Sequence, residues 1–187
     1  MSPKSKYTSR SQNNSKAWMI LAILGVLVLL TILGIRLFSN ESDVLEVGKT
    51  PKDFVLTTFS GETINTQDLR GKVVLINFWA SWCTTCDEEG ELLEAAWRFY
   101  QRNNPDQVAF LGVAYADTQP ASMAFIENYG LTYPNGPDLQ NQISRIYQVG
   151  GVPETYILDE TGEVTAIKIG TFMSLEEITT VINTALD

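Results

Sequence analysis

The chain has 187 residues, with 13 Lys and Arg against 22 Asp and Glu, no His and two Cys. That length leaves room for one ordinary domain plus an appendage. The acidic balance argues against binding phosphate backbones, and two thiols without His cannot supply the four ligands of a closed structural zinc site.

The first residues read as the appendage. Lys4, Lys6, Arg10 and Lys16 lie among Ser, Asn, Thr and Gln, with almost nothing to bury, and form a basic tail over 1–16. An uncharged apolar run follows from Ala17 to Ile35 and ends against Arg36. About nineteen helical residues rise ~28 Å, close to the hydrocarbon thickness of a bilayer. The span over 17–38 is therefore expected to be a transmembrane anchor, with the Lys and Arg before it placing the N-terminus in the cytoplasm. A cleaved signal peptide is the competing reading. Its apolar core is normally shorter, roughly 7–15 residues, and followed by a small-x-small cleavage site; Ile35-Arg36-Leu37-Phe38-Ser39-Asn40 offers none. No Cys follows closely enough to carry a lipid. Beyond Arg36 eight basic residues face all 22 acidic ones, a balance of −14.

Residues 39–50 read as a linker and 51–187 as one domain. Phe54–Thr58 and Thr63–Asn65 flank the Ser60-Gly61 turn signal and suggest an opening hairpin. Val73–Trp79 is a nearly unbroken apolar, β-branched run and reads as a strand buried on both faces. Leu93, Trp97 and Tyr100 then recur at helical spacing up to Asn103-Asn104-Pro105. Val108–Tyr115 is a second buried strand. Pro120 opens a helix closed by Gly130, and a short helix is expected around Ile143–Tyr147. Glu154–Leu158 and Glu163–Ile169 pair across Asp159-Glu160-Thr161-Gly162 as an antiparallel hairpin. The last helix starts at Ser174, which has capping-box spacing to Glu177.

Cys83-Thr84-Thr85-Cys86 follows directly on the buried strand and opens a helix, the context in which CxxC is a redox motif. Free N–H groups and the dipole at a helix N-terminus favour a thiolate on Cys83. One helical turn holds two sulfurs close enough to bond. A c-type haem attachment would need His at position 87, which is Asp. A purely structural disulfide is the competing reading, but it would close a very short loop and stabilise little. Asp87, Glu88 and Glu89 crowd the helix start with no basic residue near in sequence. Negative neighbours oppose thiolate formation, so a thioredoxin-like rather than strongly depressed Cys83 pKa is expected, and with it a reducing protein.

Phe78-Trp79-Ala80-Ser81-Trp82-Cys83-Thr84-Thr85-Cys86 resembles the active-site signature of thioredoxin-like proteins. The stretch Asp68 to Asn77 narrows the resemblance to the TlpA/ResA/CcmG (DsbE) branch, and Gly151-Val152-Pro153-Glu154-Thr155 is closest to the CcmG form. The likeness runs from about Val47 to Leu186. It implies an α/β thioredoxin-like fold, a central mixed sheet flanked by helices with an N-terminal β-hairpin extension. It also implies a reductant of protein disulfides outside the cytoplasmic membrane of a bacterium, without cofactor or metal. In that branch the substrate is the oxidised CxxCH of apocytochrome c, and electrons come from a membrane donor of the CcdA or DsbD type.

Carried over residue by residue, the resemblance makes Cys83 the nucleophile, Cys86 the more buried resolving thiol and Pro153 the cis-proline facing them. Glu89, one helical turn beyond Cys86, is the candidate for proton exchange; a solvated carboxylate is its alternative. Trp82, Thr84, Thr85, Val152 and Glu154 would border the substrate groove. For Glu154 an exposed strand end is the alternative to a source of negative potential. Gly150-Gly151 would permit close chain approach or simply loosen the loop. In two places the chain departs from its relatives. Asn77 stands where thioredoxins have a buried Asp, which leaves Glu89 as the proton acceptor. Glu89-Gly90-Glu91 lacks the proline that many relatives carry, leaving the kink there open. A thiol peroxidase, a general disulfide oxidase and a redox-inert binding module compete with the reductase. Peroxiredoxins share the hairpin and the Leu69–Val74 stretch, but their Pro-x-x-x-Thr-x-x-Cys setting is absent before Cys83.

Overall fold

A computed structural model describes residues 12–38 and 45–187. Most of the expected basic tail and the first half of the expected linker lie outside the described residues. The chain divides into two units, residues 1–43 and 44–187. In the first, α1 (Gln12–Phe38) contains an 18-residue apolar window, Ala17–Gly34, of mean hydropathy 2.7 and with no residue buried. Its length and composition suffice to cross a bilayer.

The second unit begins before the expected domain start. The Gly48 amide donates to the Val164 carbonyl, and the Val164 amide to that of Lys49 (2.8 and 2.9 Å), so Gly48 and Lys49 are bonded to the sheet. A two-stranded hairpin follows, β1 (Val55–Thr57) antiparallel to β2 (Thr63–Asn65). The main sheet contains β3 (Val73–Trp79), β4 (Val108–Ala114), β5 (Asn135–Pro137), β6 (Glu154–Leu158) and β7 (Val164–Ile169), in the order β5-β4-β3-β6-β7. β3, β4 and β5 run parallel; β6 and β7 run antiparallel to their neighbours. This is the mixed sheet of a thioredoxin fold.

Every residue of β3 is buried, because helices or the hairpin cover both faces of the sheet. Alternation assigns its side chains. Val73, Leu75 and Trp79 pack with Leu93, Ala96 and Tyr100 of α2 (Thr84–Asn103), Phe125 of α3 (Gln119–Tyr129), and Ile178 and Ile182 of α5 (Leu175–Leu186). Val74, Ile76 and Phe78 pack on the other face with Phe54, Leu56, Tyr147 of α4 (Gln142–Tyr147) and Tyr156. Asn77 shares the α2 face, the one polar side chain of β3.

Two features differ from the sequence expectation, and the kink it left open in α2 is absent. β5 was not expected, since no strand was read between Gly130 and the short helix around Ile143–Tyr147. The strand exists because the Trp79 indole donates to Asn135 Oδ1 (2.9 Å), while Gly136 lets the Thr57 carbonyl come close; a Cβ at 136 would lie 2.5 Å from it. Helix α2 runs unbroken through Glu89-Gly90-Glu91, where no proline forces a kink. Gly90 instead lets α3 pack closely, for a Cβ there would meet the Tyr129 ring at 2.9 Å. The capping box of α5 is only half made. Ser174 Oγ accepts from the Glu177 amide, but Glu177 reaches the Met173 amide rather than that of Ser174, because Lys168 also holds its carboxylate.

Candidate active site

The site forms where β3 ends and α2 begins. Cys83 is the N-cap of α2, in extended backbone, and its Sγ accepts from the Cys86 amide at 3.2 Å. Helix geometry leaves that amide without an i−4 carbonyl; it is shared between this sulfur and the Cys83 carbonyl (3.0 Å), and the sulfur sits at the positive end of the helix dipole. Cys83 and Cys86 are joined as a disulfide with Cα atoms 5.3 Å apart. Cys83 is 6% exposed and Cys86 1%, so attack from outside reaches the first sulfur. Cys83 Sγ also lies 3.4 Å from the Val152 carbonyl oxygen and 3.5 Å from Thr85 Oγ1. The Val152–Pro153 peptide is cis, and the Pro153 carbonyl accepts from the Gly170 amide, fixing this loop against the end of β7.

Beside Pro153 opens a cavity of about 570 Å³, lined by Thr85, Tyr147, Val152, Pro153, Glu154, Tyr156 and Ile169. Thr84 and Trp82 do not line it. Thr84 is exposed on the first turn of α2, and Trp82 stands 59% exposed beside Cys83, its indole N–H on the Ala116 carbonyl (3.2 Å). Glu154 is not an exposed strand end. It is buried, bonded to the Tyr156 hydroxyl, and accepts from the Gly150 amide at 3.2 Å. Burial and this carboxylate push the Tyr156 phenol far up, so it serves only as a neutral donor. Close packing does not explain Gly150-Gly151: a Cβ at either meets no heavy atom within 4 Å.

Glu89 is 1% exposed, which removes the solvated alternative. Its position on α2, one turn beyond Cys86, turns it inward, where Oε1 accepts from Asn77 Nδ2 (2.9 Å) and Oε2 from the Phe172 amide (2.9 Å). Asn77 Nδ2 also donates to Thr155 Oγ1 (3.0 Å). Burial raises the Glu89 pKa above the ordinary carboxylate range, against the opposing pull of Phe172, Asn77, Thr171 and Lys168. The absence of basic residues near the motif holds only along the chain. Lys168 comes from β7 to this site, paired with Glu177 and lying 5.6 Å from the centre of the Phe172 ring.

Sequence reasoning missed Lys168, Tyr156 and Asp117. The first two carry no local signal, since strand pairing alone brings them in. Asp117 had one, an Asp-Thr pair between a buried strand and a helix start. Its Oδ2 accepts from the Ser81 amide (2.8 Å) and its Oδ1 from the Ser81 hydroxyl (2.9 Å). Among the described residues no cluster of His, Cys, Asp and Glu could hold a metal ion.

A CxxC disulfide capping the first helix after a central strand, facing a cis-proline across the end of a mixed sheet, defines a thioredoxin-like thiol–disulfide oxidoreductase. Comparison with known proteins agrees. The model of the AhpC/TSA family matches residues 47–167. The thiol-disulfide oxidoreductase ResA of Geobacillus kaustophilus is 36% identical over 156 residues, covering 82% of this chain and 87% of its own. The thioredoxin-like protein YneN of Bacillus subtilis is 35% identical over 142 residues, covering 74% and 81%. Among solved structures, a putative thiol:disulfide interchange protein DsbE from Chlorobium tepidum superposes with a TM-score of 0.69 at 25% identity, over 76% of this chain and 99% of its own. The chain thus belongs to the AhpC/TSA family, on the branch of ResA-type and DsbE-type thiol–disulfide oxidoreductases.

Proposed function

We propose that the chain is a membrane-anchored reductant of protein disulfides, working outside the cytoplasmic membrane with α1 as a single anchor and its N-terminus inside. The oxidised CxxCH of apocytochrome c is its substrate, and a membrane protein of the CcdA or DsbD type restores its dithiol. The observation that carries the redox role is the placement of Cys83 Sγ at the helix N-terminus, with Cys86 beneath it within bonding reach. In the forward reaction the Cys83 thiolate attacks one substrate sulfur and displaces the other as a thiolate. Cys86, deprotonated, then attacks Cys83 Sγ, and the bond to the substrate breaks. The substrate leaves as a dithiol and the enzyme as a disulfide, two electrons having passed outward. Glu89, buried with a raised pKa, is the group suited to take the Cys86 proton. Pro153, Val152, Glu154, Thr85, Thr84 and Trp82 surround the approach of the substrate chain.

The reducing direction is supported by the acids at the start of α2 and by the likeness to ResA-type relatives. Trapping tests the roles. With an oxidised CxxCH peptide, Cys86→Ser should accumulate a mixed disulfide on Cys83, seen by mass spectrometry, and Cys83→Ser should form none. Adduct on Cys86 in the Cys83→Ser protein would reverse the assignment. A peroxidase reading keeps the shared hairpin and Leu69–Val74 stretch in its favour; turnover of hydrogen peroxide faster than of the peptide would establish it.

A further inference from the structure

Besides the disulfide and the cis-proline, a third structure holds the approach to Cys83. We propose that Asp117 is a positioning residue for substrate docking, its carboxylate fixing the Ser81–Trp82 segment and so the Trp82 indole beside the attacking sulfur. This rests on the oxidoreductase reading of Cys83.

The Asp117 carboxylate accepts four hydrogen bonds. It accepts from the Ser81 amide (2.8 Å) and hydroxyl (2.9 Å), the Thr118 amide (2.7 Å) and the Ser122 hydroxyl (2.9 Å). Two of these partners lie in the segment that leads into Cys83, and two at the start of α3, whose N-cap Thr118 makes no side-chain cap of its own. One carboxylate therefore pins the active-site segment to a helix N-terminus, where negative charge is favoured. The neighbouring backbone adds two more ties, the Tyr115 amide to the Trp79 carbonyl (2.8 Å) and the Trp82 indole to the Ala116 carbonyl (3.2 Å). Ala116 adopts φ +46°, a left-handed conformation that a non-glycine residue holds only when its surroundings over-determine it. The ties to Trp79, Trp82 and Ser81 on either side are what over-determine it.

The consequence is specific. Trp82 is 59% exposed, so packing does not hold it; its single hydrogen bond and the Ser81 clamp do. An exposed indole with a fixed orientation offers a peptide an apolar contact without an ordering cost. Asp117 touches neither sulfur, so its effect should fall on substrate capture rather than on thiol exchange.

The test uses the full chain in detergent, a disulfide-bonded CxxCH peptide as substrate, and three variants: Asp117→Ala, Asp117→Asn and Ser81→Ala. For Asp117→Ala, KM should rise about tenfold, well within what a small misplacement costs, while kcat changes by less than about threefold. Ser81→Ala, which removes one of the four bonds, should raise KM by a smaller factor in the same direction. The fluorescence that Trp82→Phe removes should report a more mobile indole in Asp117→Asn than in wild type. Should Asp117→Ala fold poorly, Asp117→Asn and Ser81→Ala carry the same comparison. An unchanged KM in both of those variants, or a kcat loss with KM and the Trp82 signal unmoved, would overturn the proposal. Failure of the oxidoreductase reading is distinct: there the wild-type protein itself would not reduce the peptide.

Discussion

At the scale of single residues the decisive contest is at Glu89, between burial and hydrogen bonding. Two N–H donors, from Asn77 and Phe172, stabilise its carboxylate, yet near-complete burial wins and the pKa rises. Two consequences follow from the sign of that shift. Folding raises the pKa, so the bound proton stabilises the fold fully below the unfolded carboxyl value, and that contribution is lost as pH rises through the folded pKa. In activity, a limb belonging to Glu89 should lie above the ordinary carboxylate range. Glu89→Gln should lose that limb and lower the rate of peptide reduction by about 10²-fold, the usual size of a general acid–base contribution. A pH–rate profile of wild type and variant measures both; an unchanged profile would remove Glu89 from proton exchange. Asn77 was legible as a departure from the thioredoxin Asp, but its use was not. The amide donates to Glu89 and Thr155 together, and the second partner is 78 residues away in sequence.

Among elements, those with strong periodicity were legible and those made by contact were not. The buried run Val73–Trp79 and the spacing of Leu93, Trp97 and Tyr100 identify β3 and α2 because burial dictates their composition. β5 escapes such reasoning, since only neighbours in space make Asn135-Gly136-Pro137 a strand. Its fit depends on Gly112 of β4. A Cβ there would lie 1.7 Å from Asn135 Oδ1 and 2.9 Å from the Trp79 indole nitrogen. Gly112→Ala should therefore expel the Asn135 side chain and leave the buried Trp79 N–H without its acceptor. Overpacking and an unsatisfied buried donor together should cost about 3 kcal/mol or more. Chemical denaturation gives the value; a midpoint within experimental error of wild type would show that β5 shifts freely. Gly90 presents the same geometry more mildly, where α2 meets Tyr129 of α3.

Over the whole molecule, charge and hydropathy divide the chain at one place. All the acidic residues follow Arg36, and the apolar window Ala17–Gly34 precedes it. Both were plain in the sequence, because membrane insertion and solvation act on composition alone. The candidate site was legible to the extent that it is local: Cys83, Cys86 and Glu89 share one helix start, and Val152 to Glu154 one short motif. What joins them is long-range. Lys168 approaches Glu89 from β7 and the Val152 carbonyl approaches Cys83 through sheet pairing that no local pattern encodes, and Asp117, marked locally only by its Asp-Thr pair, reaches Ser81 across the paired ends of β3 and β4. The direction of electron flow is a property of the same whole. It depends on whether the protein stabilises the thiolate of its reduced form, and acids at the start of α2 oppose that. The reduction potential of the Cys83–Cys86 couple, equilibrated against a series of thiol redox buffers, tests this most directly. A value near or below that of thioredoxin, roughly −270 mV, is the expected result for a reductant of protein disulfides; a value near −120 mV, that of a strong disulfide donor, would contradict it.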